Sequence, residues 1–139
     1  REKIAGMHVL LVEDNEIKSE IVEFMLKDAG AEVTTAGDGK AAVDAFAASA
    51  PETIDCVLMD LMMPVMSGYE ATRVIRSLNR PDARTVPVIA LSANAFEEDV
   101  AMAKEAGMND HLAKPVDVRK MFQVMCRQKQ RLENGDEKV

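Results

Sequence analysis

Apolar residues in this chain gather in short unbroken runs, each closed by polar ones. Val9-Leu10-Leu11-Val12 ends in Glu13-Asp14, Cys56-Val57-Leu58-Met59 in Asp60, Val88-Ile89-Ala90-Leu91 in Ser92, and His111-Leu112-Ala113 in Lys114-Pro115. Runs of this length without alternation read as strands buried on both faces, as in a parallel sheet. Ala31 to Thr35 supplies one more strand. Between the strands the period becomes helical. Ile17, Ile21, Phe24 and Met25 fall at i, i+4, i+7 and i+8, with Lys18, Glu20, Glu23 and Lys27 opposite, and Gly30 follows as a stop. They predict a helix with that stripe as its core face. Ala42, Val43 and Phe46 mark a second helix after Asp38-Gly39. Ala71, Val74, Ile75 and Leu78 mark a third, closed by Asn79-Arg80-Pro81. Phe96, Val100 and Ala103 mark a fourth that stops near Gly107, and Val118, Met121, Phe122 and Met125 a fifth.

Five strand–helix repeats predict an α/β fold, an open parallel sheet with helices on both faces and right-handed crossovers. For five strands the natural arrangement is the flavodoxin-like (βα)5 three-layer sandwich, with sheet order 2-1-3-4-5. Ligands of such sheets bind beyond the carboxyl ends of the strands, where the strand order reverses. Glu13-Asp14 and Asp60 would then face each other across one strand spacing, roughly 5 Å. Ser92 and Lys114 would arrive from the other side of Asp60.

Composition narrows the reading. The 139 residues suit one domain with a real core, and a net charge of -7 argues against a direct nucleic-acid binder. No apolar run is long enough to span a bilayer and no signal-peptide pattern is seen, so no membrane contact is expected of this domain. Cys56 and Cys126 read as free thiols in a reducing cytosol. The chain starts at Arg1 and ends in a polar stretch, Glu133 to Val139. It is read as a piece of something longer, with residues 1–132 as the domain and 133–139 as a polar tail.

The chemistry follows from charge. Three carboxylates so close repel one another, and a hard divalent ion such as Mg2+ relieves that while keeping positions open for phosphate oxygens. Lys114 can pair with Asp60 at rest and with a phosphoryl oxygen afterwards. Ser92 offers one donor to a second phosphoryl oxygen. Asp60 is the candidate nucleophile, since carboxylates form acyl-phosphate intermediates in phosphoryl transfer. Each residue alone is more simply a strand-end or turn residue; four strands delivering complementary groups to one edge favour a site.

At this point the chain resembles the receiver domain of the two-component response regulator family. The matching stretches are Leu10-Leu11-Val12-Glu13-Asp14-Asn15, Met59-Asp60-Leu61-Met62-Met63-Pro64, Val88-Ile89-Ala90-Leu91-Ser92-Ala93 and Leu112-Ala113-Lys114-Pro115, and the likeness runs from about Gly6 to Cys126. The resemblance implies that Asp60 accepts a phosphoryl group from a phosphohistidine on a histidine kinase or a histidine phosphotransfer domain. It implies Asp14 as a direct Mg2+ ligand, Glu13 as a water-mediated one and Met62 as a ligand through its backbone carbonyl. Ser92 becomes the switch hydroxyl and Lys114 the site lysine, with a cis bond to Pro115, the one kind of bond where that isomer is cheap. The signal would leave by the face built from the fourth helix, fifth strand and fifth helix. Glu13-Asp14-Asn15-Glu16, Gly68-Tyr69-Glu70-Ala71-Thr72-Arg73 and Gly107-Met108-Asn109-Asp110-His111 are similar to receivers attached to hybrid sensor histidine kinases. That implies a cytoplasmic domain, as the cytoplasmic part of a membrane-bound kinase or otherwise, and leaves a weak dimer open.

Two residues depart from the family pattern. Ser67 stands where many relatives carry Asp, and still suits a helix N-cap. His111 stands where Tyr or Phe is usual, and reads most simply as a packed, neutral surface histidine. His8 lies before the first strand with no assigned role. Met62-Met63 and Met121-Met125 read as gap-filling core or loop residues. Three other functions compete with this one. A Mg2+-dependent aspartyl-phosphate phosphatase would need an acid two residues after Asp60, where Met62 stands. A flavodoxin-like cofactor module would need a phosphate-cradling loop where Glu13-Asp14 repel anions. A phosphate-independent pseudo-receiver would not need the acidic set. Self-catalysed phosphotransfer, without turnover of a small molecule, is the enzymatic character expected.

Overall fold

The computed structural model describes residues 4–93 and 97–133. Within them the chain alternates β1 (His8–Val12), α1 (Glu16–Asp28), β2 (Glu32–Ala36), α2 (Gly39–Ala48), β3 (Cys56–Asp60), α3 (Gly68–Ser77), β4 (Val88–Ser92), α4 (Glu97–Ala106), β5 (Asp110–Ala113) and α5 (Val118–Glu133). The strands form one sheet in the order β2-β1-β3-β4-β5, and every pairing is parallel. Fold class and strand order agree with the expectation. Phe96, read as the start of the fourth helix, lies outside the described residues, as does the tail from 134 on.

The apolar runs are continuous because each strand feeds two cores. Leu10, Val12, Val57, Met59, Val88 and Ala90 point to one face, where Ala42 and Phe46 of α2 and Ala71 and Ile75 of α3 cover them. Val9, Leu11, Leu58, Ile89 and Leu91 point to the other, under Leu26 of α1 and Met121, Val124 and Met125 of α5. Alternate residues thus leave water on opposite sides of the sheet, and the polar residues that end the runs collect at its carboxyl edge.

Caps place the helix starts near that edge. Asn15 accepts from the Lys18 N–H at 2.9 Å, and Asp38 from the Ala41 N–H at 2.8 Å. Ser67 and Glu70 form a reciprocal capping box, so Ser67 fills the cap role expected of it. β2 runs one residue later than its sequence pattern implied, and His8 belongs to β1, where its Nε2 lies 2.8 Å from the Thr34 hydroxyl. The short 3-10 turn at Pro81–Ala83 was not foreseen.

The rotation of α1 corrects the sequence reading. Ile17, Ile21 and Phe24 are 70%, 50% and 68% exposed, whereas Leu26 is buried and Val22 packs on the core. This helix carries a second apolar stripe, and its exit decides which one turns inward. The Leu26 carbonyl accepts the Ala31 N–H at 3.0 Å, which folds the end of α1 straight into β2 and seats Leu26 on the sheet.

Candidate functional site

Asp60 is the last residue of β3, the middle strand, and is only 4% exposed. The chain beyond it is pinned twice. Leu61 N–H donates to the Leu91 carbonyl at 3.1 Å, and Gly68 N–H returns to the Leu61 carbonyl at 3.1 Å. Gly68 must lack a side chain, because a Cβ there would run into the Asp60 carbonyl oxygen. Between these anchors Met62 N–H donates to Asp60 Oδ1 at 3.3 Å.

Lys114, carried in just past β5, reaches two acids at once. Its Nζ lies 3.0 Å from Asp60 Oδ2 and 3.2 Å from Glu13 Oε1. The other Glu13 oxygen accepts the Asn15 N–H at 3.1 Å. Glu13 is buried and Asp14 exposed. A bridging ammonium, rather than a simple pair with Asp60, goes beyond the sequence reading. The peptide bond from Lys114 to Pro115 is cis, as the resemblance implied.

Burial pushes the Asp60 carboxyl up to about 6 and outweighs the hydrogen bond and charge of Lys114, while the Glu13 charge adds to the rise. Burial works against the charge on Lys114, but the Asp60 hydrogen bond and charge, followed by those of Glu13, hold its ammonium above the ordinary lysine range. One oxygen each from Glu13, Asp14 and Asp60 lie within 4.8 Å of one another. Two ligands on opposite sides of a Mg2+ ion stand about 4.2 Å apart, given bonds of about 2.1 Å. The donor set is all oxygen, of the right span and under-neutralised by one lysine, so it fits a hard divalent cation.

On this geometry the comparisons decide the family. The sequence profile described as response regulator receiver domain matches residues 9–125. The chain belongs to the response regulator receiver family. It is similar to Hybrid signal transduction histidine kinase I of Dictyostelium discoideum, 35% identical over 119 residues, covering 84% of this chain and 7% of that protein. It is similar also to Probable histidine kinase 2 of Oryza sativa subsp. indica, 40% identical over 131 residues, covering 86% of this chain and 12% of the relative. The chain thus spans about a tenth of these relatives' length. Among solved structures, the receiver domain of a sensor histidine kinase from Pseudomonas aeruginosa PAO1 superposes with a TM-score of 0.81 at 40% identity, covering 91% of this chain and 99% of that one. That receiver holds a magnesium ion coordinated in its active site cleft.

This receiver, a two-component phosphorelay signalling domain, brings together all the residues singled out from sequence except for one detail. Asp60, Glu13, Asp14 and Lys114 converge on one point, and beside them the Met62 N–H, not the carbonyl, is the backbone group seen to touch Asp60. Ser92 ends the neighbouring strand β4, but its hydroxyl is engaged elsewhere, with Oγ 2.7 Å from His111 Nε2. His111 is packed and half-buried, and Ala90 faces it in the β4–β5 register, which leaves its ring beside the Ser92 hydroxyl two residues further along β4.

Two features of the receiver were not legible in the sequence. A recess of about 480 Å3 opens beside Lys114 and is floored by Ile21, Val22 and Met25 of α1 and by Pro115 and Val116. Ile17 and Phe24 of the same helix are exposed as well. In the loop after Asp60, Val65 has φ +69° and is 78% exposed, at the tip of a tight turn closed by Met66 N–H to the Pro64 carbonyl at 2.7 Å. A β-branched residue is strained there, at a cost of about 1–3 kcal/mol. Among the described residues no helix is long and apolar enough to cross a membrane, and both cysteines are free thiols.

Proposed function

We propose that this receiver accepts a phosphoryl group on Asp60 from a phosphohistidine of a histidine kinase or a histidine phosphotransfer domain. The supporting observation is the nearly buried Asp60 held 3.0 Å from Lys114 with two further carboxylates in reach. With its carboxyl near 6, Asp60 is mostly ionised at neutral pH, as a nucleophile must be. Its Oδ forms the new O–P bond as the N–P bond breaks, and the imidazole leaves with the electron pair and takes up a proton. Glu13, Asp14, Asp60 and the Met62 carbonyl would hold Mg2+, which neutralises phosphoryl oxygens and aligns them when bound. Lys114, released from Asp60, meets another phosphoryl oxygen. Such a reading makes residues 1–132 the working domain.

The donor would seat a helix on the outward stripe Ile17, Ile21 and Phe24 and in the adjoining recess, which puts its histidine beside Asp60. The mark would be read through Ser92. In the tautomer where the Ser92 hydroxyl donates to His111 Nε2, it must turn away to donate to a phosphoryl oxygen, and that loosens the contact between β4 and β5. The signalling face is then α4, β5 and α5. The relatives' length supports a parent chain of the hybrid sensor kinase kind; we place this domain in the cytoplasm and keep a weak dimer open.

The test is labelling with acetyl phosphate or a phosphorylated histidine donor in the presence of Mg2+. One phosphoryl group per chain, removable by hydroxylamine and absent in Asp60→Asn, is expected. Labelling of Asp60→Asn at the wild-type level would place the acceptor elsewhere, and failure of the wild type to label would leave a phosphate-independent binding module. Melting temperature should also rise with Mg2+ in the wild type and not in Asp14→Ala.

A further inference from the structure

At the opposite edge of the sheet, a recess of about 550 Å3 lies before the first residues of β4 and β5. Its walls carry Arg76 of α3, Arg84 and Thr85 ahead of β4, Lys104 of α4, Asn109 ahead of β5 and Arg131 of α5, and none of its lining residues is acidic or aromatic. In a chain with net charge -7, that is a local reversal of sign. Among the described residues, Arg76, Arg84 and Lys104 make no ion pair.

Arg76 is the fixed floor of this recess. Its guanidinium donates to the carbonyls of Ala83, Val86 and Gly107 and to Asn109 Oδ1, at 2.7–3.1 Å. Those five bonds use every N–H it has, and all the acceptors are neutral. Its charge is therefore hydrogen-bonded but not neutralised. Gly107 makes room for it: at φ +107° a Cβ would press on Arg76 Cγ at 3.1 Å. Burial first, and then the charge of Arg131, pull the Arg76 guanidinium down to about 10.

The simpler account is that Arg76, Lys104 and Arg131 complement helix dipoles, since each lies in the last turn of its helix. Each helix end supplies roughly half a negative charge. Four side-chain cations exceed what three such ends balance, and Arg84 belongs to none of these helices. We propose that this recess is a binding site for a compact polyvalent oxyanion of the polyphosphate class. Arg84, Lys104 and the Thr85 hydroxyl would reach the ligand, with Arg76 supplying charge from below. The lack of an aromatic wall argues against a nucleobase, which would have no stacking surface. A bound anion would tie α4 to α5 and to the loop before β4, and so stiffen the face that carries the output. The binding itself depends on nothing at Asp60.

Inorganic tripolyphosphate is the probe, titrated into the whole chain in Mg2+-free buffer with sodium chloride matched for ionic strength. A melting temperature that climbs with the logarithm of tripolyphosphate concentration, above the chloride control, is expected. Asp60→Asn should respond like the wild type, and the Arg84→Gln/Lys104→Gln double variant should lose the response. Amide shifts should cluster at residues 84–85 and 104–109, not at 13–14, 60 and 114. A rise no greater than that from chloride, an undiminished response in the double variant, or shifts confined to the carboxylate edge would each overturn the proposal.

Discussion

The two edges of this sheet face the same electrostatic problem, like charges gathered close together, and resolve it in opposite ways. At the carboxyl edge the surplus is negative, and one ammonium bridges Glu13 and Asp60 while Asp14 stays in water. At the amino edge the surplus is positive, and Arg76 is satisfied by neutral oxygens alone. Desolvation shifts both groups toward their neutral forms, the buried Asp60 up to about 6 and the half-buried Arg76 down to about 10. The difference lies in commitment. Every N–H of Arg76 is spent on the backbone and one amide of its own fold, so it serves architecture. Asp60 and Lys114 are held mainly by each other, so either can change partner when chemistry arrives.

That contrast makes Arg76 the more damaging residue to lose. Arg76→Met should cost about 3–5 kcal/mol in urea unfolding, because buried carbonyls on two loops lose their donors together. Arg76→Lys should recover little, having three donors on a point charge in place of a planar fork. A cost under about 1 kcal/mol would show that the amino edge is no more committed than the other.

Asp60→Asn should act in the other direction. The folded carboxyl sits near 6 against an ordinary value of 3.8, so the folded state holds its proton more tightly than the unfolded one. Its stabilising contribution is whole below about pH 4 and is lost as pH rises to about 6. In Mg2+-free buffer at pH 7 the Asn variant should be more stable than wild type by roughly 1–3 kcal/mol, and the gap should close below about pH 4. Equal stabilities at pH 7 would mean that Lys114 fully offsets the burial.

The smallest expected effect concerns the loop between Asp60 and α3. Val65→Gly relieves a strained φ but gives the unfolded chain more freedom, so a net gain of about 1 kcal/mol or less is expected from thermal melts. A loss would show that the exposed Val65 side chain, rather than its backbone, matters to the folded loop.

How much of this was legible in sequence depended on the range of the interaction. The strands and their polar ends could be read directly, since a strand buried on both faces leaves an unbroken apolar run and its terminal residue stands out. Four such ends spell out the composition of the carboxyl edge. The roll of α1 could not be read, because Ile17-Ile21-Phe24 and Val22-Leu26 are both apolar at helical spacing, and only the Leu26–Ala31 hydrogen bond chooses between them. Arg76 carries no signal of its role in the sequence. Its partners lie up to 33 residues away, and nothing in the local pattern points to them. His111 stood out as unusual, but its contact with Ser92 follows from strand pairing that the sequence does not show.

The seat of Asp60 has a mechanical consequence. Its main chain is clamped against β4 through Leu61 and Leu91 and wedged from below by Gly68, which has no spare volume to yield. A load applied to that side chain cannot be absorbed by recoil of the strand that bears it. The strand acts as an anvil, and whatever gives must be the softer structure opposite: the Met62–Ser67 loop on one side and the end of β4 on the other. Direction is thus built into the response by stiffness alone, before any particular hydrogen bond selects the path.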